Sequence, residues 1–226
     1  MKRGPAFTGD DPALGSETMT NEPQLARRRY HSPLREAAAS ATRDRVLDAA
    51  VGLLGDIEAI SAFTLDAVAR AAGVTRLTVY NQFGSRPALI EAVFDRIAGL
   101  GGLAGLQDAM ADPDPDRALA EVVRIFCDFW GSHPSVPRLN DTALLDPEIE
   151  RSVKVRHERR HSLLGTIVDR AAPTASSPEK RDTVDLLFLL TSPQSFRSLA
   201  TGRDRRDICD LLSGAALDAL HRLSRT

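Results

Sequence analysis

From Thr42 onward the apolar positions of this chain recur at helical spacing, and no stretch shows the two-residue alternation of a strand. Val46, Ala50, Leu53, Leu54 and Ile57 mark a first helix that opens near Thr42, a suitable N-cap. A short second helix runs from about Leu65 to Ala71, with Thr64 as its cap and Asp66 in its first turn, where the helix dipole favours a carboxylate. Gly73 stops it. A third helix spans roughly Thr75 to Gln82 and ends at Gly84. Ser85 and Pro87 open a fourth, which carries Leu89, Val93, Phe94 and Ile97 on one face and fades at the glycines from Gly99 to Gly105.

After the punctuation Asp112-Pro113-Asp114-Pro115, a strongly periodic helix places Leu119, Val122, Val123, Phe126, Phe129 and Trp130 in phase and stops near Pro134. A longer one is expected from Pro147 to about Ala171, with Ile149, Val153, Leu164, Ile167 and Val168 as its apolar positions. Pro173 to Pro178 forms a loop. Two further helices, about 179–200 and 204–224, complete the chain, the first interrupted by Ser192-Pro193-Gln194-Ser195. The fold class is all-α. Residues 1–40 read as a flexible tail, rich in small and polar residues, with Arg27, Arg28, Arg29 and Arg35 as a basic cluster and Met19 as an alternative start.

Composition narrows the function classes. The formal net charge is −2, so a nucleic-acid binder of this sequence must concentrate its positive charge locally. Cys127 and Cys209 lie inside apolar helical patterns, without metal-ligand spacing, and read as buried thiols of a reducing compartment. No run approaches the roughly eighteen apolar residues of a membrane span, and the N-terminus lacks the apolar core of a signal peptide. A cytoplasmic protein without membrane contact is expected.

The segment LDAVARAAGVTRLTVYNQF, Leu65 to Phe83, meets the three demands of a helix-turn-helix. Ala69 is small enough for a second helix to pack against it, Gly73 tolerates the positive φ of the turn, and Val79 supplies the buried apolar residue of the second helix. From Ala67 to Ile90 there is no Asp or Glu, whereas Arg70, Arg76 and Arg86 are present. This is the local electropositive surface that phosphate contact requires. Thr75, Arg76, Leu77, Thr78, Tyr80 and Asn81 form the exposed side of the third helix, with groups able to bond phosphates, reach base edges or meet a thymine methyl. A capped helical hairpin without nucleic-acid contact is the alternative.

TRDRVLDAAVGLL followed by FTLDAVARAAGVTRLTVYNQFGSRPALIEAVF resembles the N-terminal domain of the tetracycline-repressor (TetR) family, over about Thr42 to Ile97. The resemblance implies a three-helix DNA-binding domain, 41–98, joined by its fourth helix to a variable helical ligand-binding and dimerisation bundle, 99–226. It further implies a homodimer on palindromic double-stranded operator DNA, acting as a repressor released by a small-molecule effector, with no enzymatic activity, cofactor or metal. Carried over by position, Thr64 and Thr75 would cap helices and touch phosphate, and Arg76, Leu77 and Thr78 would face bases or nearby backbone. Tyr80 and Arg86 would contact phosphate, while Arg43 would reach the backbone or minor groove. Asn81 stands where His is common, Leu77 where Gly or a small residue is frequent, and Arg86 where Lys is usual.

The bundle is less legible. Phe126, Phe129, Trp130, His133, His157, His161, Phe188 and Phe196 are candidates to line a ligand site, against the plain alternative of ordinary core. The stripe Ile208, Leu211, Leu212, Ala215, Ala216, Ala219 and Leu220 suits the family's helical dimer interface. His157-Glu158-Arg159-Arg160-His161 matches the H-E-x-x-H zinc motif, but both intervening residues are cationic and no clear third ligand follows. With Lys154 and Arg156, these arginines suggest a solvated or anion-facing stretch instead. Two rivals remain: a metal-dependent helical enzyme, and a helical scaffold whose hairpin binds protein.

Overall fold

The computed structural model describes residues 33–55, 63–132 and 146–225, with side chains from residue 36. Arg27, Arg28 and Arg29 of the basic cluster, Ile57 and His133 lie outside the described residues. Ten α-helices, and no strand, are found among them: α1 (Pro33–Leu54), α2 (Leu65–Ala72), α3 (Arg76–Phe83), α4 (Arg86–Leu100), α5 (Leu106–Ala111), α6 (Pro115–Ser132), α7 (Pro147–Ala171), α8 (Ser177–Leu190), α9 (Pro193–Leu199) and α10 (Arg205–Ser224).

The first helix begins well before the expected Thr42 cap, so the last residues assigned to the tail are helical. Thr42 sits in the helix interior and donates its hydroxyl to the Ala38 carbonyl at 2.8 Å. Ala37, Ala38, Ala39 and Ala41 are strong helix formers, yet residues 36–41 face solvent, so no apolar period announces them.

Helices α1 to α3 close over Val46, Ala50, Leu54, Phe63, Val68 and Val79, all buried. The longer α4 leaves this group and runs into a bundle built from α6, α7, α8 and α10. Asp146 starts α7 by accepting from the backbone N–H groups of Glu148 (3.0 Å) and Ile149 (3.2 Å). The helix expected at 179–200 is two helices, because Pro193 cannot continue the hydrogen-bond ladder. The break leaves the Thr191 carbonyl free of that ladder, and the buried Trp130 Nε1 donates to it at 2.9 Å.

The expected dimer stripe needs correction. Ile208, Leu212, Ala216, Ala219 and Leu220 are buried within the single chain, because α10 lies against α6 and α8. Cys209 likewise faces inward, next to the buried Cys127, and burial pushes the Cys209 thiol up from its ordinary range. Only Leu211, 47% exposed, and the half-buried Ala215 keep an outward face. Leu186 and Leu189 of α8 are the other exposed large apolar residues in this part of the bundle.

Candidate nucleic-acid interface and internal cavity

The α2–α3 hairpin is held by a complete set of local devices. Thr64 caps α2 by accepting from Ala67 N–H at 3.1 Å, and Asp66 follows in the first turn. At the other end Gly73 adopts φ 65° and ψ 35°. Its N–H bonds the Arg70 carbonyl (3.2 Å) and the next N–H, of Val74, bonds the Ala69 carbonyl (3.0 Å). This pair is a Schellman motif, which satisfies helix-end carbonyls while reversing the chain. Thr75 then caps α3 by accepting from Thr78 N–H at 3.1 Å. Ala69 and Val79 are buried, as the crossing of two helices through so short a turn demands.

The outer side of α3 is thereby fixed in space. Leu77 (65% exposed) and Tyr80 (56%) project from it, and Arg76 and Asn81 are exposed beside them. The hydroxyls of Thr75 and Thr78 lie 2.8 Å apart. Arg76 approaches Asp66 at 3.6 Å, but both side chains are more than half exposed, so water or a phosphate can replace that partner at little cost.

Two expected phosphate contacts have other occupations. Arg43 donates to the Gln82 carbonyl at 2.9 Å and lies over the Phe83 ring at 4.3 Å, bracing the C-terminal end of α3 against α1. Arg86 donates from Nε to the Phe63 carbonyl at 2.7 Å and pairs with the carboxylates of Asp146 and Glu148. It therefore ties the start of α4 to the start of α7. A second tie follows along the same two helices. Arg156 reaches Glu91 and Asp95, each at 3.1 Å, and lies over Phe94 at 4.3 Å, while Ser152 donates to Glu91 at 2.5 Å. Burial opposes ionisation of Glu91 and of Asp146, but these hydrogen bonds and cations prevail and hold both carboxyls below the usual range.

Between α4, α6 and α7 lies a cavity of about 240 Å³, lined by Phe94, Ile97, Phe126, Phe129, Trp130 and Val153 among others. Of the candidate ligand-site residues, Phe126, Phe129, Trp130 and His157 are among those lining it. His161 does not: its Nε2 pairs with Asp185 at 3.0 Å near the surface. Phe188 packs edge-on against His157, and Phe196 is buried beside Gly131. Burial, then the charge of Arg160, pull His157 below its ordinary range. Among the described residues no group of three His, Cys, Asp or Glu is placed to hold a metal ion. Among the lining residues absent from the candidates, Arg160 is the buried one with a signal in its phase: it falls on the same face of α7 as Val153, Leu164 and Ile167.

A capped and braced hairpin presenting a polar, acid-free helix, joined through one long helix to a cavity-bearing bundle, defines a helix-turn-helix DNA-binding regulator. Residues 46–93 match the family model described as bacterial regulatory proteins, tetR family. The chain is 48% identical over 66 residues to the HTH-type transcriptional regulator AlkX of Mycobacterium tuberculosis, a match covering 29% of this chain and 31% of AlkX. It is 27% identical over 161 residues to the regulator EthR of Mycolicibacterium smegmatis, covering 70% of this chain and 69% of EthR. The fold is shared with a TetR-like transcriptional regulator from Rhodococcus sp. RHA1, with a TM-score of 0.62 and 21% identity over 80% of this chain and 97% of that one. Residues 46–93 thus form a domain of the TetR type, and the fold is that of TetR-like transcriptional regulators.

Proposed function

We propose that the chain acts in the cytoplasm as a homodimeric repressor that binds a palindromic operator through α3 and is released by a small-molecule effector in the α4–α6–α7 cavity. One observation carries this reading: α4, which begins three residues after the last residue of α3, also walls the cavity through Phe94, Asp95, Ile97 and Ala98. A molecule entering the cavity meets the helix that sets the position of the reading head. Arg76, Leu77, Thr78, Tyr80 and Asn81 face base edges and backbone, with Thr64 and Thr75 at the flanking phosphates. Arg86 serves as the tie between α4 and α7, and a shift of α4 changes how its guanidinium is shared among Phe63, Asp146 and Glu148. Dimerisation uses the outward apolar residues Leu186, Leu189 and Leu211, a face that a second copy can match by two-fold symmetry.

No helix among the described residues is long and apolar enough to cross a membrane. The reading is tested by mobility shifts of the full chain with DNA from upstream of its own gene and from divergent neighbouring genes. Salt-sensitive, sequence-selective binding is expected. Binding that ignores sequence, or none at low salt, contradicts it.

A further inference from the structure

Arg160 sits where an apolar residue belongs. Its side chain is 6% exposed, and the Phe188, Phe126 and Trp130 rings lie 4.1, 5.5 and 5.9 Å from its guanidinium carbon. Nη1 donates to the Thr191 carbonyl at 3.2 Å, the same carbonyl that Trp130 uses. Nε is buried and has no hydrogen-bond partner. Burial alone acts on the group, pulling it down to about 10, so the guanidinium stays charged at neutral pH. Aromatic faces and one carbonyl only partly replace the water it has lost, and an unpaired buried cation is costly to keep.

We propose that the cavity lined by Arg160 is a binding site for a monocarboxylate with a compact apolar body, the carboxylate set side-on against the guanidinium. The inference rests on the effector reading above and names the effector's chemical class. Nε–H and the neighbouring Nη–H of an arginine form a flat fork that matches the two oxygens of a carboxylate. The rest of the wall is apolar and aromatic: Phe94, Ile97, Leu103, Leu106, Phe129 and Leu163. A volume of about 240 Å³ exceeds the roughly 150 Å³ of an engineered apolar cavity that takes up benzene, which leaves room for on the order of ten non-hydrogen atoms. Charge agrees with an anion, since the lining holds Arg156, Arg159 and Arg160 against the single carboxylate of Asp95, which already pairs with Arg156.

Trp130 is the chain's only tryptophan and lines the cavity, so its emission reports occupancy directly. The full chain is titrated with 4-phenylbutanoate and with its uncharged analogue 4-phenylbutanamide. A saturable change is expected with the acid, at least about tenfold tighter than with the amide, as charge-assisted bonding requires. Arg160→Met should erase that preference with helical circular dichroism retained. Arg160→Lys, which keeps the charge and loses the fork, should weaken the acid selectively, and it serves as the readout if the Met variant does not fold. Equal affinity for acid and amide, no saturable response to either, or an unchanged preference in the variants overturns the proposal. Mobility shifts on the same samples separate the two claims. Acid binding by a chain that ignores DNA sinks the regulator reading alone, and selective DNA binding with no acid preference sinks this inference alone.

Discussion

At the scale of single residues, function depends on a few backbone and side-chain positions that tolerate little change. Gly73 holds the left-handed conformation of the turn; space around its Cα is open, so the constraint is conformational rather than steric. Gly73→Val should cost about 2 kcal/mol or more, since a β-branched residue resists positive φ, and thermal unfolding checks it. Arg76→Ala should leave the melting temperature nearly unchanged, because its pair with Asp66 is exposed. It should nevertheless weaken DNA binding and lower the slope of log K against log salt by about 1. The turn glycine, the caps at Thr64, Thr75 and Ser85, and the buried Ala69 and Val79 were legible because each is dictated by local geometry. Arg43 and Arg86 were not. Whether an arginine points at phosphate or at a carbonyl depends on neighbours far away in the chain, here Gln82 for the one and Asp146 and Glu148 for the other.

At the scale of elements, the joint between α4 and α7 is the feature with most bearing on regulation. Its carboxylates, Glu91 and Asp146, have depressed values in the folded chain. Groups of that kind contribute stability that is fully present above their unfolded range, near pH 4, and lost as pH falls through their folded values. The melting temperature should therefore fall on acidification from about pH 5 toward pH 3, and the double variant Glu91→Gln with Asp146→Asn should show a shallower fall. An equally steep fall in that variant would place the acid-sensitive groups elsewhere. Asp146→Ala should be worse than Asp146→Asn at neutral pH, by roughly 1 kcal/mol, because Asn still caps α7. Element positions followed closely from the apolar period wherever one face is buried, as in α6 and α7. They failed where burial gives no period. The solvent-facing start of α1 is one case, and the short α5, which contributes only Ala109 to the fully buried set, is another.

At the scale of the whole molecule, a protein of net charge −2 keeps residues 67–90 free of Asp and Glu, with Arg70 and Arg76 exposed to solvent there. The dimer face shows the limit of pattern reading: a broad apolar stripe such as that of α10 does not say which neighbour covers it. Most of the stripe serves the chain's own core, and Leu186, Leu189 and Leu211 are the large apolar residues left exposed nearby, the face proposed above for a second copy. Leu189→Glu combined with Leu211→Glu should convert a dimer to a monomer in light scattering without loss of helical signal. A dimer that survives both charges would place the interface on another face. Loss of dimerisation should also weaken operator binding sharply, because one reading head alone forfeits the effective concentration supplied by its twin.

The most direct test of the account is a stoichiometric titration of the full chain against a duplex carrying the DNA upstream of its own gene, with a scrambled duplex in parallel and salt varied. The account expects saturation at two chains per duplex, selectivity over the scrambled sequence, and protection of two half-sites about one helical turn apart. Saturation without sequence preference, or no binding to DNA that includes the neighbouring promoters even at low salt, would contradict it.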